Sequence, residues 1–202
     1  MITLEYQIFT PEKRKFKITP NFIVYGLWIF SILLFAITNK LQDLKILFEP
    51  YKTVYLIILV LLPIYFSIAA FFKHKPINGA ISGILQIGFD LIIVTDNHYS
   101  INNISKIDFH FIDYFGQLQS SVRANFNPLL SQGVSNAIEF TDKNNQIHLV
   151  YFKLNYKYEH ERLFPFITEM IKINKISFLR GIELLGINDY DKIQEFKKQL
   201  KS

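Results

Sequence analysis

The sequence predicts an α-helical membrane hairpin joined to an α+β soluble domain. Residues 22–38 and 54–72 form two uncharged apolar segments, and most of the chain's apolar excess lies in them. From about residue 77 onward, short runs of alternating apolar and polar residues replace them, as expected for β-strands. Two membrane helices followed by several strands and a helix account for this pattern.

The two apolar segments have the length of membrane spans. They contain 17 and 19 residues, about 25 and 28 Å of helix, against a bilayer core of ~30 Å. Helices buried in a soluble protein normally keep a polar face, whereas Ser31 and Ser67 are the main polar residues inside these segments. A cleaved signal peptide is the alternative for the first segment, but its apolar run exceeds the usual ~7–15 residues.

The basic residues beside the spans predict their orientation. Six lysines and arginines lie before the first span or directly after the second, and three lie in the segment that connects the spans, residues 39–53. The positive-inside rule therefore places both termini in the cytoplasm and predicts a multi-pass protein of the inner cell membrane. These six cations either only set the orientation, which we favour, or also contact anionic lipid headgroups. They are Lys13, Arg14, Lys15, Lys17, Lys73 and Lys75.

Strands and helices are predicted next along the chain. Residues 104–112 alternate most clearly, and residues 136–141 and 146–152 form a hairpin through the turn at 142–145. With the runs between 81 and 101, they make about five to seven antiparallel strands, which form either a sandwich of two small sheets or a small barrel. Helical spacing predicts a helix over residues 156–173, or one that begins at Pro165, since proline suits the first turn. Asn188 or Asp189 is expected to cap a last helix, with Gly181 and Gly186 interrupting the chain before it.

Residues 116–135 lack clear periodicity. We expect a loosely packed excursion with an edge strand at about 122–126. The alternative is a binding loop, with Arg123 as the ligand-binding candidate, because loops often carry function.

Residues 83–113 and the block NAIEFTDKNNQIHLVYFKL, with a turn at Asp113, Tyr114 and Gly116, resemble the bacterial pleckstrin-homology (PH)-like domains of small two-helix membrane proteins. The resemblance covers about residues 80–173. It implies a PH-like fold and a binding or scaffolding role without catalysis. It carries over no functional residues. The basic first loop with which some PH domains bind phosphoinositides has no lysine or arginine here, at Phe89 and Asp90.

Catalytic and metal-binding motifs are not apparent. The chain has no cysteine, which excludes disulfides and thiolate chemistry. The five histidines lack metal-ligand spacing, although His110 and His148 could meet on neighbouring strands near Asp108. The charge of +5 lies mainly beside the spans and forms no basic stripe for nucleic acid. We therefore expect no cofactor, no metal, no nucleic acid and no enzymatic activity.

These observations favour a membrane-anchored module that binds the bilayer and a membrane or cytoplasmic protein, or a second copy of itself, through a sheet edge or residues 116–135. Anionic-lipid sensing is the second hypothesis. A small membrane enzyme is the third, and a pocket lined by several titratable side chains would favour it. The predicted boundaries are 1–21 for a cytoplasmic segment, 22–75 for the hairpin, 77–174 for the PH-like domain and 175–202 for a helical extension.

Overall fold

The computed structural model describes residues 3–13, 17–119 and 125–200, except for the side chains of residues 39, 42–45 and 47. Its contacts divide the chain into two units. The sheet unit comprises Met1–Lys13, Ile77–Gln117 and Ser131–Ser202, and the helical unit comprises Arg14–Pro76 and Leu118–Leu130. Both segments of the helical unit are thus insertions in the sequence of the sheet unit.

The described residues form nine strands and five α-helices. In chain order they are β1 (Leu4–Pro11), α1 (Pro20–Lys40), α2 (Gln42–Phe72), β2 (Gly79–Ile87), β3 (Leu91–Val94), β4 (Asn97–Ser100), β5 (Ile104–His110), β6 (Phe115–Leu118), β7 (Leu130–Gln132), β8 (Asn136–Asp142), β9 (Ile147–Phe152), α3 (Phe164–Lys172), α4 (Phe178–Leu184) and α5 (Tyr190–Gln199).

Seven of the strands form one sheet, in the order β4-β3-β2-β1-β9-β8-β5, and its neighbouring strands pair antiparallel. β6 and β7 form a second, two-stranded sheet. Together with the helices, this architecture confirms the predicted α+β class. The strands are divided differently from the two small sheets expected, because pairing of β1 with β9 joins most of them into one sheet.

Strand β1 was not predicted, although it lies inside the sheet, between β2 and β9. Leu4, Tyr6 and Ile8 are buried, whereas Glu5 and Gln7 between them are exposed. This alternation is the period of a half-buried strand. The sequence therefore contains the alternation of a strand here, although residues 1–21 were predicted only to be a cytoplasmic segment.

The core of the sheet unit lies between the inner face of the sheet and α3. Phe109, Phe140 and Phe152 come from three strands and are fully buried, and Ile167 and Met170 of α3 are buried in the same cluster. α3 begins at Phe164 with Pro165 in its first turn, as predicted. A short 3₁₀ helix, Glu159–Leu163, precedes it.

The C-terminal extension contains one helix more than predicted. Gly181 lies inside α4 instead of interrupting it, because Ile171 of α3 packs against it. A Cβ atom at this position would lie 2.2 Å from Ile171 Cδ1. The predicted cap of the last helix is confirmed, since Asp189 accepts hydrogen bonds from the amides of Asp191 and Lys192.

The helical unit contains α1 and α2, separated by Leu41 alone. The predicted connecting loop at residues 39–53 is wrong, because α2 begins at Gln42 and continues through Pro50 and Pro63. Ring packing explains the longer helix. Phe48 lies 5.9 Å from Phe35 of α1 and 5.7 Å from Tyr55, between ring centroids.

Both helices are long and apolar enough to cross a membrane, over Pro20–Thr38 and Phe48–Phe72. Only 17% and 6% of these windows are buried. Large side chains such as Ile29, Ile32 and Phe72 are more than half exposed. Helices in the core of a soluble protein would be covered by other elements. The described residues leave these apolar side chains exposed, and contiguous apolar surfaces of this kind are typical of interaction sites.

Candidate functional site

The described cations predicted beside the spans are exposed. Lys17 precedes α1, and Lys73 and Lys75 directly follow α2. Lys13 follows β1 and is also exposed. The three other basic candidates lie outside the described residues; they are Arg14, Lys15 and Arg123.

Residues 125–130 connect the start of α1 to the end of α2. Asn21 of α1 is the centre of the first connection. Its Oδ1 atom accepts from the Phe126 amide at 2.6 Å, and its Nδ2 atom donates to Asn125 Oδ1 at 3.1 Å. On the other helix, the Leu129 amide donates to the Ala70 carbonyl at 2.9 Å. Lys17, Lys73 and Lys75 therefore share one end of the helical unit.

An aromatic cluster fixes the same segment. The ring of Phe126 lies 5.9 Å from that of Tyr25 and 6.0 Å from that of Trp28, both in edge-on geometry. Phe126 is only 7% exposed and Leu129 only 4%. The expected loose packing therefore does not hold for residues 125–130. They are part of the helical unit rather than a free binding loop.

A buried carboxylate organises the chain on both sides of this excursion. Asp113 accepts from the Ser135 amide and hydroxyl, both at 2.9 Å, and from the Ser131 hydroxyl. Asn136 Nδ2 donates to the Asp113 carbonyl at 2.8 Å, and Asn136 Oδ1 accepts from the Ile112 amide at 2.8 Å. The structure gives Asp113 four donor groups, which makes it a structural residue.

A cavity of about 420 Å³ in the sheet unit lies beside β5. The end of β5, the 3₁₀ helix before α3, and α4 form its walls. Its lining combines aromatic rings with charged side chains. The lining residues include Phe111, His160, Glu161, Phe164, Arg180 and Glu183.

The aromatic rings of this cavity form a row in which each ring contacts the next. The Phe111 ring lies 5.2 Å from that of His160, and the His160 ring lies 5.8 Å from that of Phe164. Phe109 stacks on Phe111 at 5.5 Å and is itself fully buried. The three half-buried rings thus form a continuous wall.

Arg180 is held by groups of its own unit. Its Nε atom donates to Asp108 at 2.7 Å, its Nη1 atom lies 2.8 Å from Glu183, and its Nη2 atom donates to the Phe109 carbonyl at 2.6 Å. The hydrogen bond to Asp108 is the main reason that the pKa of Arg180 is raised further. Two carboxylates therefore face one guanidinium, and Glu161 adds a further negative charge at the cavity.

The outer edge of β5 is already covered by the C-terminal extension. The Ile107 amide donates to the Lys175 carbonyl at 2.8 Å, and Lys175 Nζ donates to the Ile104 carbonyl. The Phe109 carbonyl accepts a hydrogen bond from Arg180. This edge is therefore not open for pairing at these groups.

A second, smaller cavity of about 280 Å³ is lined by the start of β1, the end of β2 and the start of α3. Leu4, Phe89 and Phe166 line it, together with Arg162. Tyr6 is buried on the same face of β1 as Leu4, and burial raises the pKa of its hydroxyl. Its hydroxyl has no hydrogen-bond partner among the described residues.

The histidines do not form a common site. His148 lies 3.3 Å from Asp142 and stacks on Phe140 of β8. His110 pairs instead with Ala137, which lies three residues from Phe140 on the same strand. No group of three or more metal-ligating side chains occurs in the described parts of the chain.

Comparisons with protein-family models, curated proteins and solved structures gave no match. The cavity was not predicted from the sequence. The one sequence signal for this cavity is the alternation of residues 104–112, which predicts that Phe109 and Phe111 lie on one face of a strand. Nothing in the sequence indicated that Arg180, from a segment thought to be interrupted, would join them.

Proposed function

We propose that this protein is a membrane-anchored binding module, in which the helical unit spans the inner membrane and the sheet unit is a cytoplasmic PH-like domain without catalytic activity. One observation carries the proposal. β1, which precedes the two apolar helices, pairs with β2, which follows them, and the register joins Pro11 to Gly79 and Leu4 to Ile87.

This pairing limits the membrane topology. Residues 11 and 79 are neighbours in one sheet, so they lie on the same side of the bilayer. The chain between them must then cross an even number of times. Two crossings meet this condition, and the basic residues on both sides of the hairpin favour the cytoplasm for the sheet unit.

The strand order supports the PH-like assignment. β1 to β4 form one meander, β5, β8 and β9 form another, and β1 joins them by pairing with β9. α3 follows the last strand, as the resemblance implies. One feature differs from the arrangement expected, because the hairpin lies between the first and second strands of the sheet rather than before the domain.

Binding accounts for the cavity beside β5 better than catalysis does. The cavity holds His160, Glu161 and Glu183, so it meets the condition set for a small membrane enzyme. However, among the described contacts His160 packs on Phe111 and Phe164 and makes no hydrogen bond to either carboxylate. Neither carboxylate therefore orients His160 for proton transfer.

Single-cysteine labelling tests the anchoring and the topology. The chain has no native cysteine, so Leu41→Cys and Asn144→Cys each carry one thiol, at exposed positions. In spheroplasts, a membrane-impermeant maleimide should label Leu41→Cys directly and Asn144→Cys only after permeabilisation. Labelling of Asn144→Cys in sealed spheroplasts, or recovery of the protein in the supernatant without detergent, would overturn the proposal.

Anionic-lipid binding is a second candidate, favoured by the three exposed lysines that share one end of the helical unit. Lipid that co-purifies with the protein in mild detergent should then be enriched in anionic species. A triple variant, Lys17→Gln, Lys73→Gln and Lys75→Gln, should lose that enrichment, as measured by mass spectrometry of the bound lipid. Equal lipid profiles for both proteins would exclude this role.

A further inference from the structure

We infer that the cavity beside β5 accepts the side chain of a lysine or arginine from a basic segment of a protein partner. This inference rests on the binding role proposed above and names the chemistry of the partner. It follows from the rings that line the cavity, from its charge, and from the covered strand edge beside it.

The rings provide a surface suited to a cation. Phe111, His160 and Phe164 are half-buried and lie in a row, with ring centroids 5.2 and 5.8 Å apart. The face of an aromatic ring attracts an ammonium or guanidinium group placed within about 6 Å of its centroid. The apolar stem of a lysine or arginine can pack on the same rings.

The charges of the cavity favour a cation over an anion. Arg180 is compensated by Asp108 and Glu183, and its hydrogen bonds to these groups and to the Phe109 carbonyl occupy its Nε, Nη1 and Nη2 atoms. Glu161 is exposed at the cavity, and no ion pair engages it in the described part of the chain. The three carboxylates of Asp108, Glu161 and Glu183 thus outnumber the guanidinium of Arg180, although the whole chain has a formal charge of +5.

The covered edge of β5 indicates how the partner would bind. The Ile107 amide and the Ile104 and Phe109 carbonyls are already bonded to Lys175 and Arg180. A partner therefore cannot extend the sheet through these groups, as peptides do when they add a strand. Insertion of a side chain into the 420 Å³ cavity remains available, and this volume lies within the range of ligand pockets.

The test measures peptide binding to the full chain in a non-ionic maltoside detergent, which removes anionic lipid as a competing site for cations. The probe is a fluorescein-labelled peptide of alternating lysine and alanine, with a peptide of alternating glutamate and alanine for comparison. Fluorescence anisotropy should show binding of the basic peptide, weakened by salt, and none of the acidic one.

Two variants and two matched controls locate the binding. Glu161→Gln and Phe111→Leu should each weaken the basic peptide about threefold to fivefold, because each removes one attraction to the cation. Glu195→Gln removes an exposed carboxylate of α5 and Phe89→Leu removes a ring of the other cavity, so neither should change binding. Thermal midpoints confirm that all four variants are folded.

Absence of binding by the basic peptide would overturn the inference, as would equal weakening in the variants and their controls. Preferential binding of the acidic peptide would overturn it as well. The cysteine-labelling result is independent of these outcomes. A failure here with correct labelling therefore rejects the cationic partner and leaves the membrane anchoring intact.

Discussion

Asp113 and Asn136 are buried polar side chains of the sheet unit, and hydrogen bonds satisfy both of them. Asp113 is 5% exposed and Asn136 is fully buried, and together they join residues 112–113 to residues 131–136. No ion pair to Asp113 occurs within the described residues. The donors around Asp113 depend on its carboxylate, because a buried donor without an acceptor costs free energy.

Asp113→Ala should therefore destabilise the protein strongly. The variant removes the acceptor of the Ser135 amide and that of the buried Ser131 hydroxyl, at about 1–3 kcal/mol for each buried group. We expect the thermal midpoint in detergent to fall by several degrees, at about 2–4 °C per kcal/mol. Asp96→Ala, at an exposed turn, is the control. Equal midpoints for both variants would contradict the structural role of Asp113.

Asp142 makes the hairpin between β8 and β9 sensitive to pH. The hydrogen bond from the Gln146 amide is the largest cause that lowers the pKa of Asp142, followed by those from His148 and from the Asn144 amide. Its pKa in the folded protein lies below the unfolded value of about 3.9. The resulting stability is present above about pH 4 and is lost as the pH falls through the folded pKa.

Asp142→Asn tests this sign. The amide oxygen can still accept from the turn, but the charge is gone, so the variant should be less stable than the parent at pH 7. The difference in thermal midpoint should shrink as the pH is lowered to about 3. His148→Phe keeps a ring on Phe140 and should reduce the pH-dependent part without abolishing it. A difference that stays constant with pH would contradict the argument.

At the level of elements, side-chain packing overrides local signals. α2 continues through Pro50 and Pro63, and α4 contains Gly181, although proline and glycine both disfavour helix interiors. In α4 the glycine is required because Ile171 occupies the space of a side chain. Residues 125–130 have no regular periodicity, yet Phe126 and Asn21 fix them to α1.

Phe126→Ala should loosen the helical unit. Truncation of a buried phenylalanine typically costs about 3–5 kcal/mol, and here it also removes the ring contacts with Tyr25 and Trp28. The expected result is faster proteolysis near residues 125–130 and a lower thermal midpoint in detergent. Phe72→Ala provides the matched control, because Phe72 is 77% exposed. If the control loses as much stability, the packing of Phe126 is not the cause.

The molecule as a whole depends on a strand that precedes its two apolar helices. β1 supplies Leu4, Tyr6 and Ile8 to the core, although the rest of the sheet lies after residue 76. A fragment of residues 77–202 lacks this strand and leaves β2 and β9 without the neighbour that joins them. Studies of the domain should therefore retain residues 4–11.

Ile8→Asp should disrupt the sheet unit, since it places an unpaired charge at a 7% exposed core position. Gln7→Asn, on the exposed face of the same strand, should leave it intact. Limited proteolysis of the membrane-embedded protein, followed with a C-terminal tag, should show rapid cleavage after residue 77 only in Ile8→Asp. Equal protease resistance of the two variants would mean that β1 is dispensable.

The apolar runs, the alternation in residues 104–112, the turn at 142–145, Pro165 and the Asp189 cap were predictable because each depends on neighbouring residues. The place of β1 beside β9, the length of α2, the packing of Phe126 and the cavity at Arg180 were not. Each of these depends on contacts between residues distant along the chain. Alternation can indicate that Leu4, Tyr6 and Ile8 form a strand, but the partners of that strand are set by which apolar surfaces cover one another in three dimensions.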